Sequence, residues 1–212
     1  MVRPVTDLWE RRNGYALCTR QGLDLITDHL RAMGPGLADA LAGKLRIGIH
    51  RDVEVTDAPS APRPVVSQAF CSALPVAYGS APQQHWSAFA QLVLDAAYEA
   101  TMLEAVINCR RGASNILLLT SLGGGAFGNA PVWIHSAIRR AVMKVQRFDL
   151  DVRLISYGRP SVQTRELVKE LAWCVGVYLG SPRPSGREGW IRGKREIVYQ
   201  LLTKFTLAPV RD

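Results

Sequence analysis

The chain has 212 residues, 48% of them hydrophobic and 21% charged, and a formal net charge of +8. This length holds one good core with little to spare, and the composition is that of an ordinary globular protein rather than a disordered or fibrous one. No run reaches the roughly 18 apolar residues of a membrane span, and the opening MVRPVTDLWERRNG lacks the apolar stretch of a signal peptide, so a cytoplasmic protein without a Sec-type leader is expected.

In chain order, LDLITDHLRAMGPGLADALAGKL (23–45) has helical spacing, broken at Gly34-Pro35-Gly36. GIHRDVEVTDAPSAPRP (48–64) then runs into Pro/Ala/Ser-rich loop chemistry. VVSQAFC (65–71) is β-branched and bounded by prolines, which predicts a buried strand, and CSALPVAYGSAPQQ (71–84) is a loop of small residues. Apolar positions at 89, 92, 93, 96, 97, 100, 103 and 106 predict a long amphipathic helix over 86–107. NILLLT (115–120) reads as a strand, TSLGGGAFGNAP (120–131) as a glycine loop, and the following segment as a helix to about residue 146. LDVRLIS (150–156) is a further strand. Beyond Pro160 the pattern weakens: 163–175 fits a helix, SPRPSGREG (181–189) a linker, and 196–205 a last helix or strand.

Strands joined by helical crossovers imply a largely parallel sheet with helices on both faces. Ligands of such sheets lie beyond the carboxyl ends of the strands, so residues 72–84 and 121–131 are expected to line one cleft. Glycines there let the backbone turn at positive φ and approach a ligand closely, and a following helix N-terminus suits a phosphate. No Lys-Ser/Thr pair follows, so this is not a P-loop, and it lacks the context of a dinucleotide fingerprint. A plain tight turn fits the spacing equally well.

Cys18, Cys71, Cys109 and Cys174 are far apart without a C-x-x-C, and the histidines are scattered too. Free thiols in a reducing compartment are therefore expected, with no metal and no cofactor. Residues 159–212 carry ten basic and five acidic side chains. Such a tail attracts nucleic acid, anionic lipid or an acidic partner, or is simply solvated surface. Without an aromatic-interleaved basic stripe or a recognisable motif, neither nucleic acid nor membrane is the expected partner.

Over roughly residues 30 to 158 the order of elements resembles the macrodomain, the ADP-ribose-binding α/β module. GPGL (34–37), the strand running into the loop at 72, the long helix after Trp86 and LLLTSLGGGAFGNAP (117–131) carry the resemblance. The aromatic followed by glycine and then proline is its most specific part. CSALPVAY, LVLDAAYEAT and LLTSLGGGAFGN further resemble a divergent subgroup that includes a bacterial effector removing ADP-ribose from arginine on ubiquitin.

The resemblance implies a three-layer α/β/α fold with a central mixed, mostly parallel sheet. Residues 1–160 would form the domain, with 1–30 poorly aligned, and 161–212 a basic C-terminal extension. It implies that Gly123, Gly124, Gly125, Ala126, Phe127, Gly128 and Asn129 wrap the pyrophosphate of ADP-ribose, with the N–H groups of Gly124 to Phe127 as donors. Ser72, Ala73 and Tyr78 would line the opposite wall. Phe127 would lie near the distal ribose, or else plug the core. Asn129 would bond that ribose, brace the loop, or cap the helix starting near Pro131. The Asn-Ala-Asn motif of hydrolytic members and its glycine-rich catalytic loop are absent, and so is a Gly-Asp-Ile-Thr-like start, which would supply an adenine-binding aspartate and whose lack leaves the adenine pocket unassigned.

Hydrolysis of an ADP-ribosyl linkage needs a carboxylate to orient water or to stabilise charge on the ribose. Asp52, Glu54 and Asp57 are the candidates: one to orient the water, another to hold the leaving group. If the stretch is extended, Asp52 and Glu54 point the same way. Three solvated loop acids are the plainer alternative. Asp95 and Glu99, one helical turn apart, fit an exposed helix face better than a catalytic pair, and His50 is a base or a structural histidine. The leading expectation is therefore an ADP-ribosylhydrolase acting on arginine-type mono-ADP-ribosylated protein, with ubiquitin a candidate substrate. It would act in the cytoplasm or, for an effector, in a host cytosol. The runner-up is a reader that binds ADP-ribose or ADP-ribosylated protein without cleaving it. A basic nucleic-acid-associated protein is a third reading.

Overall fold

The computed structural model describes residues 8–58, 61–156 and 158–172, together with the backbones of two further strands. A hairpin comes first: β1 (Trp9–Arg12) pairs antiparallel with β2 (Tyr15–Cys18). Asn13 and Gly14 between them both have positive φ, 51° and 83°, the arrangement that matches the twist of a two-residue hairpin turn. Helix α1 (Arg20–Ala42) starts at Thr19, whose hydroxyl accepts the Gly22 N–H, and it breaks at Gly34, φ 70°, ahead of Pro35. The break falls where the sequence places it.

The main sheet has six strands in the order β3-β4-β8-β5-β6-β7. These are β3 (Gly48–Glu54), β4 (Val65–Phe70), β5 (Ile116–Leu119), β6 (Asp151–Ile155), β7 (Gly176–Gly180) and β8 (Glu196–Tyr199). Only β3 is antiparallel to its neighbour; every other pairing is parallel. The fold is thus α/β with a mixed, mostly parallel sheet. Helices α2 (Ser87–Arg110), α3 (Pro131–Val145) and α4 (Val162–Leu171) make the crossovers from β4 to β5, β5 to β6 and β6 to β7.

All three crossovers step the same way across the sheet, so right-handed connections place their helices on one face. Their side chains agree. Leu94, Ala97, Tyr98 and Met102 of α2, Ile134, Ile138 and Val142 of α3, and Leu167 and Leu171 of α4 share one buried cluster with Leu117, Leu119, Val152 and Leu154. Helix α1 packs along α2. Helices α2, α3 and α4 therefore lie against a single face, whereas strand–helix alternation suggests both. Reaching the second face takes a crossover that reverses direction, and none of these helices makes one.

Strands β7 and β8 come from beyond residue 160 yet belong to this same sheet. A boundary at 160 therefore does not separate the sheet from the C-terminal segment. SPRPSGREG, Cys174 and residues 200–205 lie outside the described residues. Among those described, no helix is long and apolar enough to cross a membrane.

Asp95 and Glu99 face α3 rather than open solvent. Arg140 of α3 bonds Glu99 at 2.7 Å and Asp39 of α1 at 2.5 Å, and lies 3.9 Å from Asp95; Lys144 adds a 2.7 Å bond to Glu99. Three helices are tied through one guanidinium. Burial pushes the Glu99 carboxyl up, but the bonds from Lys144 and Arg140 outweigh it and hold it below the ordinary carboxylate value. A carboxylate depressed on folding stabilises the native state above its unfolded value of about 4.3, and that contribution is lost as pH falls through the folded value. Glu99→Gln should accordingly lower stability at pH 7, and urea melts of the two proteins should converge as the pH falls below about 4.

Candidate functional site

Because β4, β5 and β6 are parallel, the loops after them open at one edge of the sheet. The start of the glycine loop is held from α2. The Tyr98 hydroxyl donates to the Thr120 carbonyl at 2.7 Å and accepts the Leu122 N–H at 2.9 Å. Burial pushes this phenol far above its ordinary value, which keeps it a neutral donor.

Two glycines of the loop are required by close approach. Gly123 has φ 72°, and a Cβ there would lie 2.4 Å from the Ala73 Cβ and 2.6 Å from Asn129 Nδ2. Gly128 has φ 70°, with the Ala77 Cβ only 2.8 Å from its own Cβ position. The loop after β4 thus runs in contact with the glycine loop, and direct bonds join them. The Ala77 N–H donates to the Phe127 carbonyl at 2.9 Å, and Asn129 Nδ2 donates to the Leu74 carbonyl at 2.8 Å and the Gly123 carbonyl at 3.2 Å. Gln83 Nε2 adds a 2.9 Å bond to the Gly128 carbonyl. Beneath them a second apolar cluster of Leu23, Leu74, Val76, Ala81, Trp86 and Ala90 fixes the loop after β4 against α1 and α2.

Several expected ligand contacts resolve into structural roles. Asn129 is only 2% exposed and braces the two loops. The residue before the helix, Ala130, caps α3 with no side-chain bond, so Asn129 is not its cap. The Gly124 N–H is already taken by the Ser121 carbonyl at 3.0 Å, which removes one of the four expected phosphate donors. Phe127 is 6% exposed and belongs to the main core cluster, with Tyr15 and Tyr78 meeting its ring edge-on at 5.9 and 5.4 Å. It plugs the core, and those rings shield it from a ribose. Ser72 turns its hydroxyl to the Ala73 carbonyl at 3.1 Å, and Ala73 is buried. Gly124, Gly125 and Ala126 are exposed, at the start of α3, and Gly125 faces open space. Tyr78, 45% exposed, stands beside them on the opposite wall.

The three candidate carboxylates sit elsewhere. Strand β3 runs antiparallel to β4, with Glu54 opposite Val65 at the start of β4, while the loop lining the cleft follows Phe70 at its end. Five steps of about 3.3 Å separate the two ends of β4 by about 17 Å, and Asp52, between the His50–Gln68 and Val53–Val66 pairs, lies beside the middle of that strand. Asp52 has φ 58° at a bulge, which breaks the alternation that would align it with Glu54. It accepts two 2.9 Å bonds from Arg111, at the carboxyl end of α2; Glu54 pairs with Arg63 at 2.9 Å, and Asp57 lies in the exposed turn beyond. Glu54 and Asp57 therefore lie away from the glycine loop, and Asp52 is held in an ion pair with Arg111. His50 packs edge-on against Phe70, 5.3 Å between ring centres.

Near the Asp52 pair, Asn108 is fully buried. Its Oδ1 accepts from Ser67 and Arg111, and its Nδ2 donates to the Ser114 carbonyl. These groups tie β4 to the end of α2 as structure. The buried Cys18 thiol and the partly buried Cys71 thiol are pushed up to about 11 by burial, so neither is a ready nucleophile.

Sequence reasoning missed Tyr15, Ala77, Gln83 and Tyr98. For Tyr15 a signal existed: Asn13-Gly14 between two short segments is a strong hairpin sign. Compared with protein families, curated proteins and solved structures, the chain matches none of them.

The glycine geometry gives a direct test. Gly123→Ala combines a disfavoured φ with a clash against the Ala73 methyl and the buried Asn129 amide and should destabilise by more than about 2 kcal/mol, whereas Gly125→Ala, in open space at ordinary φ, should stay within about 0.5 kcal/mol. Urea unfolding of both variants measures the contrast.

Proposed function

We propose that this chain is an ADP-ribose-binding module of macrodomain type that reads ADP-ribose on modified proteins without cleaving it. The observation that carries this reading is the exposed segment Gly124–Gly125–Ala126, held at the N-terminus of α3 by a buried brace. The first turn of α3 has no side-chain cap; Pro131 lacks an N–H and those of Trp133 and Ile134 bond the Ala130 carbonyl, so the turn offers an anion its dipole rather than a row of donors. Small residues on the facing loop, Ala73 and Ala77, let the two walls meet without filling the space above them. The resemblance of the glycine loop to the macrodomain phosphate loop supplies the ligand's identity, and a cytosolic setting belongs to the same proposal.

Reading rather than hydrolysis is favoured because Asp52 and Glu54 are held by arginines and Asp57 is exposed beyond β3, none of them on either loop of the site. Titration calorimetry with ADP-ribose, with AMP and NAD as comparators, tests the proposal. Wild type should bind ADP-ribose with a micromolar Kd. Gly125→Glu should weaken binding by about a hundredfold, since it adds bulk and negative charge before the loop where a side chain fits sterically. The triple variant Asp52→Ala, Glu54→Ala, Asp57→Ala should bind ADP-ribose within about twofold of wild type. Absence of binding by the wild type would overturn the reading. Release of ADP-ribose from an arginine-modified protein would replace it with hydrolysis.

A further inference from the structure

The two loops that line the cleft, TSLGGGAFGNAP and CSALPVAYGSAPQQ, contain no lysine or arginine. A site for a diphosphate built from them alone has backbone dipoles but no full positive charge. The same loops present one aromatic to solvent, Tyr78. The element packed against them is the N-terminal hairpin.

The hairpin is fixed in place. A Cβ on Gly22 would lie 2.1 Å from the Leu8 carbonyl oxygen, so the backbone just before β1 is pressed against the first turn of α1. Cys18, at the end of β2, is buried in the cluster under the loop after β4. From this base Tyr15 reaches both walls of the cleft. Its ring centre is 5.2 Å from that of Tyr78, the planes at 87°, and 5.9 Å from that of Phe127. Phe127 is covered, Tyr15 is half-buried and Tyr78 remains open. Two perpendicular rings over a buried third form a corner in which a flat ligand ring can stack on one tyrosine and meet the edge of the other.

Arg12 is the cross-strand partner of Tyr15, so both side chains project from the same face of the hairpin. Its side chain is exposed. A cation thus stands beside Tyr15 of the aromatic corner.

We propose that the β1–β2 hairpin is the third wall of the site. Tyr15 and Tyr78 hold the purine base of an adenine nucleotide, and Arg12 supplies the positive charge facing its diphosphate. The assignment rests on the glycine-loop reading above and gives it what the two loops lack, a base pocket and a cation.

The experiment compares ADP-ribose with UDP-glucose, which keeps a sugar and a diphosphate but carries a pyrimidine. Tyr15→Ala and Tyr78→Ala should each weaken ADP-ribose about tenfold and erase most of the preference over UDP-glucose, while Tyr15→Phe should keep both. Arg12→Ala should weaken both ligands and flatten the dependence of affinity on salt, whereas Arg159→Ala, on the loop after β6, should do neither. Should Tyr15→Ala fail to fold, Tyr78→Ala and Arg12→Ala carry the same test. If wild type binds ADP-ribose and Gly125→Glu abolishes it, yet Tyr78→Ala and Arg12→Ala bind like wild type, the hairpin assignment is overturned and the glycine loop stands alone. Loss through Arg159 instead of Arg12 overturns the cation's assignment. If wild type binds neither ligand, both readings fall together.

Discussion

Everything at the candidate site depends on two backbones running at contact distance. β4 and β5 are not neighbours, because β8 lies between them. At about 4.8 Å per strand their ends stand about 10 Å apart, so the loops that follow must lean toward each other to touch. They touch at Ala73 with Gly123 and at Ala77 with Gly128, positions where one further methyl group has no room. The Asn129 amide then stitches the pair from inside, and Tyr98 anchors the root of the glycine loop to α2. Small residues here serve closeness as much as flexibility.

The chemistry of the two sheet edges differs accordingly. One edge gathers guanidinium–carboxylate pairs: Arg51 with Glu104 at 2.8 Å, Arg111 with Asp52, and Arg63 with Glu54. The Arg51 and Arg111 pairs are bidentate and tie β3 to α2, a geometry that holds position better than a single contact. The other edge is made of uncharged loops whose polar capacity is mostly backbone. A carboxylate already held by two parallel guanidinium bonds belongs to the scaffold, and Asp52 is such a group.

The central elements were legible because their signals are local. The apolar spacing of α2 and α3, the short greasy run of β5 and the alternation of β6 place each within a few residues of where it lies. The features that stayed hidden depend on partners distant in the chain. Which face the helices cover is set by strand order, which no single segment encodes. Asn129 reads as a helix cap until Leu74, far back in the sequence, takes its amide. The acids looked close to the glycine loop because β3 precedes β4 in sequence, but antiparallel pairing sets Glu54 against the start of β4 and Asp52 beside its middle, and the bulge at Asp52 undoes the expected alternation. The hairpin strands are four residues each and mostly polar on β1, too short for periodicity to speak.

The place of β8 has a kinetic consequence. It pairs with Val66 to Ala69 on one side and with Leu117 on the other, partners that are well over a hundred and about eighty residues earlier in the chain. Without β8 no ladder would join β3–β4 to β5–β6–β7. Contacts of such long sequence separation form slowly, because a large loop must close before they contribute. The loops that follow β4 and β5 flank β8, so their contact spans the same long-range pairing.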